Sequence, residues 1–153
     1  MDKTLASISE LPLESRLGHV IKRAEQTLIN GKNLVLREVD LTVPQYAALL
    51  ALAEGSGASG AQLARRCLVT PQTMHTTLAN LEAKELIERE RSEVHSQVLV
   101  ARLTRKGRAV LKRADQKAVS LEQHVAEAFT PEERQLFHDL LERAIKAIND
   151  FHE

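Results

Sequence analysis

A run of polar side chains near the middle of the chain has the chemical types needed to bind the edges of DNA base pairs. Gln72 and Asn80 can each form two hydrogen bonds with an adenine edge, and threonine methyl groups can contact thymine. Met74, Leu78 and Leu81 follow at helical steps and predict the buried side of the same helix. Short polar residues also occur on solvated helix faces. Their types alone therefore do not distinguish a DNA-contacting face from a face that is merely exposed to solvent. The outward candidates for base contact are Gln72, Thr73, His75, Thr76 and Asn80.

Basic residues surround this polar run. The chain has no net charge at pH 7, but residues 60–113 hold eleven Lys and Arg against five Asp and Glu. A basic segment within an otherwise acidic chain is typical of a phosphate-binding surface. The alternative is that about half of these cations form local salt bridges on a solvated surface. The predicted phosphate contacts are Arg65, Arg66, Thr70, Lys84, Arg89, Arg91, Arg102 and Arg105.

Helix-start signals divide the middle of the chain into short helices. Thr42 and Ser59 each stand three residues before a glutamine, which is the pattern of a capping box. Thr70 precedes Pro71, as an N-cap precedes the first helical position. A short turn separates the helix after Ser59 from the helix after Thr70. The two predict a helix-turn-helix whose second helix bears the polar run.

The spacing of hydrophobic residues along the sequence changes after this helix. Residues 86–91 and 98–103 predict two short strands, and the polar segment 92–97 joins them as a hairpin. A helix-turn-helix followed directly by a β-hairpin is a winged helix, with the hairpin as its wing. His95 and Gln97 near the hairpin tip are therefore further candidates for DNA contact.

Amphipathic segments flank the winged helix on both sides. Residues 11–30 place apolar side chains at steps of three and four, and this helix either kinks near Asn30 or continues to Arg37. Thr104 caps a helix with a heptad-like apolar seam, and Thr130 starts a last helix with a broad apolar face. The predicted fold class is mainly α, a winged helix-turn-helix with long N- and C-terminal helices and a short wing.

Composition excludes several protein classes. The 153 residues, 43% hydrophobic and 27% charged, fit one compact globular domain. The longest apolar run, residues 46–53, is too short to cross a bilayer, and the first ten residues lack the apolar core of a signal peptide. We therefore expect a cytoplasmic protein without a membrane segment. Its single cysteine, Cys67, excludes a disulfide within the chain.

Signatures of catalysis and metal binding are missing from the sequence. It has no nucleophile elbow, no phosphate-binding glycine loop and no His-Glu-x-x-His motif, so we do not expect an enzyme or a cofactor. The histidines show no close ligand spacing, which argues against a metal site within one chain. They are His19, His75, His95, His124, His138 and His152.

The order and spacing of these pieces resemble the MarR family of ligand-responsive winged helix-turn-helix regulators. The resemblance covers roughly residues 11–150 and depends on six fragments in the right order, each unspecific alone. The fragments are LTVPQY at 41–46, QLARR at 62–66, VTPQT at 69–73, LE at 81–82, LIER at 86–89 and LTRKG at 103–107.

This resemblance implies a homodimer whose first and last helices intertwine. In a single domain spanning 1–153, segments 11–37 and 107–151 would be the dimerisation helices and 42–106 the DNA-binding lobe. It further implies a repressor that leaves a pseudo-palindromic double-stranded operator when an aromatic or phenolic carboxylate binds between the helices and the lobe. It also implies that Arg89 pairs with a carboxylate at the base of the wing.

The wing tip departs from the family pattern. Family members usually have an arginine there that enters the minor groove, whereas this chain has His95, Ser96 and Gln97. Arginine suits that narrow, negatively charged groove. Arg91 or a protonated His95 is the available substitute, and minor-groove insertion is in doubt.

Three residues are candidates for binding the small-molecule effector. Arg16 and His19 lie one helical turn apart, where Arg16 can clamp a carboxylate and His19 can bond a phenol. Tyr46 would add an aromatic wall and a hydroxyl. The alternative is that Arg16 and His19 form a surface pair and that Tyr46 belongs to the core.

Two other functions remain open at this point. Cys67 follows Arg65 and Arg66 and would be the thiol of a redox-responsive regulator, but its position on the inner face favours a buried, inert cysteine. A winged helix can also serve as a protein-interaction module, which the unusual wing tip slightly favours and the basic segment disfavours.

Overall fold

The computed structural model describes residues 12–151, and this part of the chain forms six α-helices and one small antiparallel sheet. Leu11 of the predicted first helix lies outside the described residues. A 3₁₀ turn, Leu13–Ser15, precedes the first helix. The helices are α1 Leu17–Arg37, α2 Val43–Ala53, α3 Gly60–Arg66, α4 Pro71–Ala83, α5 Arg105–Glu127 and α6 Pro131–Asp150; the strands are β1 Ala58–Ser59, β2 Ile87–Arg91 and β3 Leu99–Leu103.

The fold class predicted from the sequence is confirmed: a mainly helical winged helix-turn-helix. The first helix does not kink near Asn30 and continues to Arg37. The chain divides into two compact units, the first ending at Lys117 and the second beginning at Ala118 inside α5. None of the helices between residues 12 and 151 is long and apolar enough to span a bilayer.

The predicted helix starts are confirmed by their hydrogen bonds. Thr42 and Ser59 both form complete capping boxes, and Thr130 does the same at the start of α6. Thr70 Oγ1 accepts from the Thr73 backbone N–H at 3.1 Å and caps α4. Each cap satisfies a backbone donor that the first helical turn leaves unpaired, so the side chains fix where these helices begin.

The wing is a two-stranded hairpin with a short third strand beside it. β2 pairs with β3 in antiparallel register from Ile87 opposite Leu103 to Arg91 opposite Leu99. The sequence analysis missed β1, which pairs Ala58 and Ser59 with the other edge of β3. Two small residues have no alternation from which a strand could be predicted.

Three helices end in the left-handed conformation without a glycine. Asp40, Leu68 and Glu85 have φ values of 54°, 55° and 60° and follow α1, α3 and α4. In each case the next residue donates its N–H to a carbonyl five residues earlier, as in the Schellman motif; at α4 this bond joins Leu86 N and Leu81 O at 2.9 Å. The left-handed conformation strains a residue that has a Cβ, so the three ends cost stability.

The junction of wing and long helix depends on Gly107. The backbone carbonyl of Leu86 accepts from the Thr104 N–H at 3.1 Å, and Thr104 Oγ1 accepts from the Gly107 N–H at 2.9 Å. A Cβ at position 107 would lie only 1.9 Å from the Leu86 carbonyl oxygen. The first turn of α5 therefore packs directly against the backbone at the start of β2.

An ion pair connects α4 to the wing. Arg89 Nε on β2 donates to Glu82 Oε2 at 3.0 Å. This hydrogen bond from Arg89 holds the pKa of the Glu82 carboxyl below its ordinary value of 4.5. The pairing of Arg89 that the family resemblance implied is present, and it orients the base of the hairpin relative to α4.

We expect Gly107→Ala to lower the free energy of unfolding by about 2–3 kcal/mol, because the new methyl group forces backbone to move. Gly18→Ala is the matched control, since a Cβ there meets nothing within 4 Å. Urea denaturation followed by circular dichroism, at one protein concentration, measures both. Equal midpoints for the two variants would contradict the close approach.

Leu68→Gly should raise the free energy of unfolding by about 0.5–1 kcal/mol, because relief of left-handed strain exceeds the added entropy of the unfolded chain. The Leu68 side chain is 93% exposed, so its removal sacrifices little buried surface. Leu68→Ala keeps the strain and serves as control. A glycine variant no more stable than the alanine variant, in the same denaturation experiment, would disprove the strain.

Because the pKa of Glu82 is lowered in the folded state, its pair with Arg89 stabilises the fold above about pH 4.5 and loses this effect as the pH falls through the folded value. Glu82→Gln should therefore be less stable than wild type at pH 7, with the difference shrinking in acid. Arg89→Gln should remove the same pH-dependent contribution to stability, because Glu82 then has no cation to pair with. Thermal unfolding from pH 3 to 7 tests this, and an unchanged acid dependence in Arg89→Gln would contradict it.

Candidate nucleic-acid interface

Helix α4 presents one apolar face to the lobe and one polar face to solvent. Met74, Leu78 and Leu81 are buried as predicted, and Thr77 joins them by donating its hydroxyl to the Thr73 carbonyl at 2.8 Å. The sequence analysis missed Thr77 because its burial depends on this bond within the helix. The five predicted base-contact residues are all exposed: Gln72, Thr73, His75, Thr76 and Asn80.

The start of α4 is held in place by its cap. Thr70 donates its hydroxyl proton to Thr73 Oγ1 at 2.9 Å, while the same Thr70 oxygen accepts from the Thr73 N–H. Thr73 is therefore oriented before any ligand arrives. A capped first turn with its side chains in solvent is the arrangement that a recognition helix needs to reach base edges in the major groove.

Among residues 12–151, the predicted phosphate contacts divide into cations that pair with a carboxylate and cations that do not. Arg66 pairs with Glu54, Lys84 with Asp40, Arg89 with Glu82 and Arg102 with Glu90. The pairs of Arg66 and Arg102 are exposed on both sides, and such pairs contribute little to stability, so these two cations can exchange a carboxylate for a phosphate. The side chains of Arg65, Arg91 and Arg105 are exposed and lie outside these pairs. Phosphate contact stays a prediction for all of them.

The wing tip is ordered by a serine. Ser92 Oγ accepts from the backbone N–H groups of Val94 and His95, both at 3.2 Å. His95 and Gln97 are exposed, as a contact with DNA requires. Val94, which the sequence analysis did not single out, is 81% exposed at the tip. An apolar side chain at such a position can contact the minor groove without any charge.

Cys67 is poorly suited to redox chemistry. It ends α3 and is half-buried. Burial raises the pKa of its thiol, and the positive charge of Arg66 opposes this only in part. The nucleophilic thiolate is therefore disfavoured at neutral pH, which weakens the redox alternative.

The predicted effector residues lie on α1 and α2. Arg16 is the exposed residue before α1, and His19 is half-buried on its first turn. Tyr46 is buried in α2 and donates its hydroxyl to Asp115 Oδ1 on α5 at 2.8 Å. The sequence analysis missed Asp115; an acidic residue beside the apolar seam of α5 was the available signal.

Two grooves open on the first unit. One, of about 490 Å³, lies between the end of α1 and Lys84. The other, of about 300 Å³, lies between α2 and the start of α5, with Asp115 in its lining. Among residues 12–151 no three His, Cys, Asp or Glu side chains are grouped to hold a metal ion, and His152 lies outside this range.

Comparison with known proteins gives matches along most of the chain. The family model described as MarR family matches residues 39–98. The HTH-type transcriptional repressor Rv2887 of Mycobacterium tuberculosis is 32% identical over 130 residues, which is 85% of this chain and 94% of that protein. HosA, a transcriptional regulator of Escherichia coli, is 30% identical over 104 residues, covering 68% of this chain and 77% of its own.

Solved structures share the fold. The transcriptional repressor CouR, solved bound to a 23-mer DNA duplex, superposes with a TM-score of 0.79 at 26% identity over 87% of this chain and 94% of its own. Rv2887 in complex with salicylic acid superposes with a TM-score of 0.67 at 32% identity. The match covers 84% of this chain and 96% of the Rv2887 chain. These proteins are regulators, not enzymes. With the winged helix and the sequence identity to Rv2887, they establish that the chain belongs to the MarR family of transcriptional regulators.

Proposed function

We propose that this protein is a homodimeric transcriptional repressor that binds a pseudo-palindromic operator and leaves it when a small aromatic carboxylate binds. The observation on which the proposal depends is the polar face of α4. Its five outward side chains are exposed while the opposite face is buried in the lobe. Such a helix has the shape and the hydrogen-bonding groups for the major groove.

Double-stranded DNA is the proposed partner of the lobe at 42–106. Gln72 and Asn80 supply bidentate groups for adenine edges, and the basic residues around α4 and the wing supply phosphate contacts. CouR, with the same fold, was solved on a DNA duplex. Base contacts would set the sequence preference, and neutralised phosphates would make binding sensitive to salt.

A second copy of the chain is the other proposed partner, through the segments 11–37 and 107–151. In the first unit, Leu17, Val20 and Ile21 leave an exposed apolar stripe on α1. In the second unit, α6 exposes Leu140 and Ile148 among other large apolar side chains. Apolar stripes of this extent on a monomer mark surfaces that a partner covers. An intertwined dimer would bury them.

The proposed effector is an aromatic or phenolic carboxylate. Rv2887, the relative at 32% identity, was solved with salicylic acid. In this chain Arg16 and His19 on α1, with Tyr46 on α2, are proposed as effector contacts. The effector can release DNA only to the extent that it binds the DNA-free conformation more tightly than the DNA-bound one.

Operator binding is tested with the DNA upstream of the protein's own gene, in fluorescence anisotropy titrations from low to moderate salt. We expect one short palindrome, with half-sites about 10 bp apart, to be bound tightly and in a salt-sensitive manner. Asn80→Ala should weaken operator binding by roughly tenfold or more, because a bidentate base contact contributes about 1–3 kcal/mol of discrimination.

Gln116→Ala is the matched control, since Gln116 is an exposed amide on α5 away from the lobe's polar face. It should bind the operator as wild type does. A folded dimer without affinity for any duplex at low salt would refute the proposed function and favour a protein-interaction module. An equal loss of operator affinity in Asn80→Ala and Gln116→Ala would refute the proposed role of α4 in base contact.

A further inference from the structure

The lysine at the end of α4 is turned toward the corner between α1 and α2. Lys84 is the C-cap residue of α4, and its backbone N–H bonds to the Asn80 carbonyl at 3.1 Å. Its side-chain Nζ donates to the backbone carbonyl of Asp40 at 2.6 Å and pairs with the Asp40 carboxylate at 3.1 Å. Gln45 Oε1 lies 3.5 Å from the same Nζ. One ammonium group therefore lies among oxygens that are 44 and 39 residues away in the sequence.

The oxygens around this ammonium are themselves held in place. Asp40 has a left-handed backbone with a φ of 54°, and the N–H of the next residue bonds to a carbonyl in the last turn of α1. Gln45 is buried, and its Oε1 also accepts from the Thr42 N–H in the capping box that starts α2. Lys84 therefore attaches the end of α4 to two helix ends that have their own hydrogen bonds.

The contacts of Lys84 leave it little capacity for a phosphate. A lysine ammonium has three N–H donors, and three oxygens lie within 3.5 Å of this one: Asp40 O, Asp40 Oδ2 and Gln45 Oε1. The Lys84 side chain is 32% exposed, whereas those of Arg66 and Arg102 are 51% and 49% exposed. Lys84 is thus less available to DNA than the other two cations.

The attachment lies one helical turn after a proposed base contact. Asn80 is exposed on the polar face of α4, and its carbonyl accepts from the Lys84 N–H. At the other end of α4, the Thr70 cap fixes the first turn. Hydrogen bonds weaken steeply when the donor is misaligned, so a base contact from Asn80 requires that this end of the helix is also held.

We propose that Lys84 is a positioning residue for DNA recognition: its ammonium attaches the end of α4 to the corner between α1 and α2 and thereby aligns Asn80 with the base edges. The inference rests on the proposed function and goes beyond it, because it changes Lys84 from a phosphate ligand to a residue that acts through Asn80. It also connects α1, a proposed dimerisation helix, directly to α4. Lys84 then controls how well the operator is distinguished from other DNA.

The first test compares Lys84→Met with wild type, since methionine nearly keeps the side-chain length and removes the ammonium. In fluorescence anisotropy of the full-length dimer, operator binding should weaken by about fivefold or more, while affinity for a scrambled duplex of equal length stays within about twofold. The slope of log affinity against log salt should not change. A phosphate contact predicts a different result, in which both affinities fall together and the slope decreases by about 0.9 for each lost contact.

A double-mutant cycle shows whether Lys84 acts through Asn80. In the Asn80→Ala background, Lys84→Met should lower operator affinity by less than about twofold further, because the group that it positions is already gone. Additive losses would overturn the inference. Lys112→Met is the charge-matched control, since Lys112 is an exposed lysine of α5, and it should bind the operator like wild type.

A second measurement does not depend on DNA. Amide hydrogen exchange of the free dimer, followed by mass spectrometry, should be about fivefold faster or more at residues 80–86 in Lys84→Met, because the end of α4 is no longer attached. Lys84→Gln, whose side-chain amide ends one bond short of Nζ, should behave in the same way. It replaces the methionine variant if circular dichroism shows that the latter does not fold.

The outcomes separate this inference from the proposed function. If wild type binds the operator and Lys84→Met keeps its preference for the operator over scrambled DNA, the inference alone fails. A uniform loss on both duplexes with a smaller salt slope also overturns it, in favour of a phosphate contact. If wild type binds no duplex, the proposed function fails, and exchange still decides the attachment of α4: faster exchange supports it and unchanged exchange overturns it.

Discussion

The close approach of Gly107 to the Leu86 carbonyl is the contact on which the rest of the lobe depends. It lets the first turn of α5 lie directly on the corner between α4 and β2, where Thr104 also donates to the same carbonyl oxygen. A side chain at this position would push the long helix away from the wing. The contact therefore fixes the first turn of α5 against the backbone at the start of β2.

The same corner brings charged side chains of the wing close to α4. Arg89 on β2 donates to Glu82 on α4, so an ion pair joins the base of the wing to α4. Arg66, Lys84 and Arg102 pair with exposed carboxylates. The chain's zero net charge therefore hides a surplus of positive charge within residues 60–113.

Stability is not maximal at several points of this lobe. Leu68 and Glu85 adopt left-handed conformations that glycine would adopt without strain, and Arg108 and Lys112 repel each other across one turn of α5. At Leu68 the strain accompanies the hydrogen bond from the Val69 N–H to the Ala64 carbonyl, which satisfies a carbonyl at the end of α3.

Local signals in the sequence by themselves determined the helix starts, the wing and the two faces of α4. Caps such as Thr42 and Thr70, and the spacing of Met74 and Leu78, act over three or four residues, so they can be read without tertiary structure. The candidate DNA surface was therefore predictable. Only the tertiary structure decided which cations are paired, that Tyr46 bonds Asp115, and that Arg108 meets an apolar wall, because partners distant in sequence meet only when the helices pack.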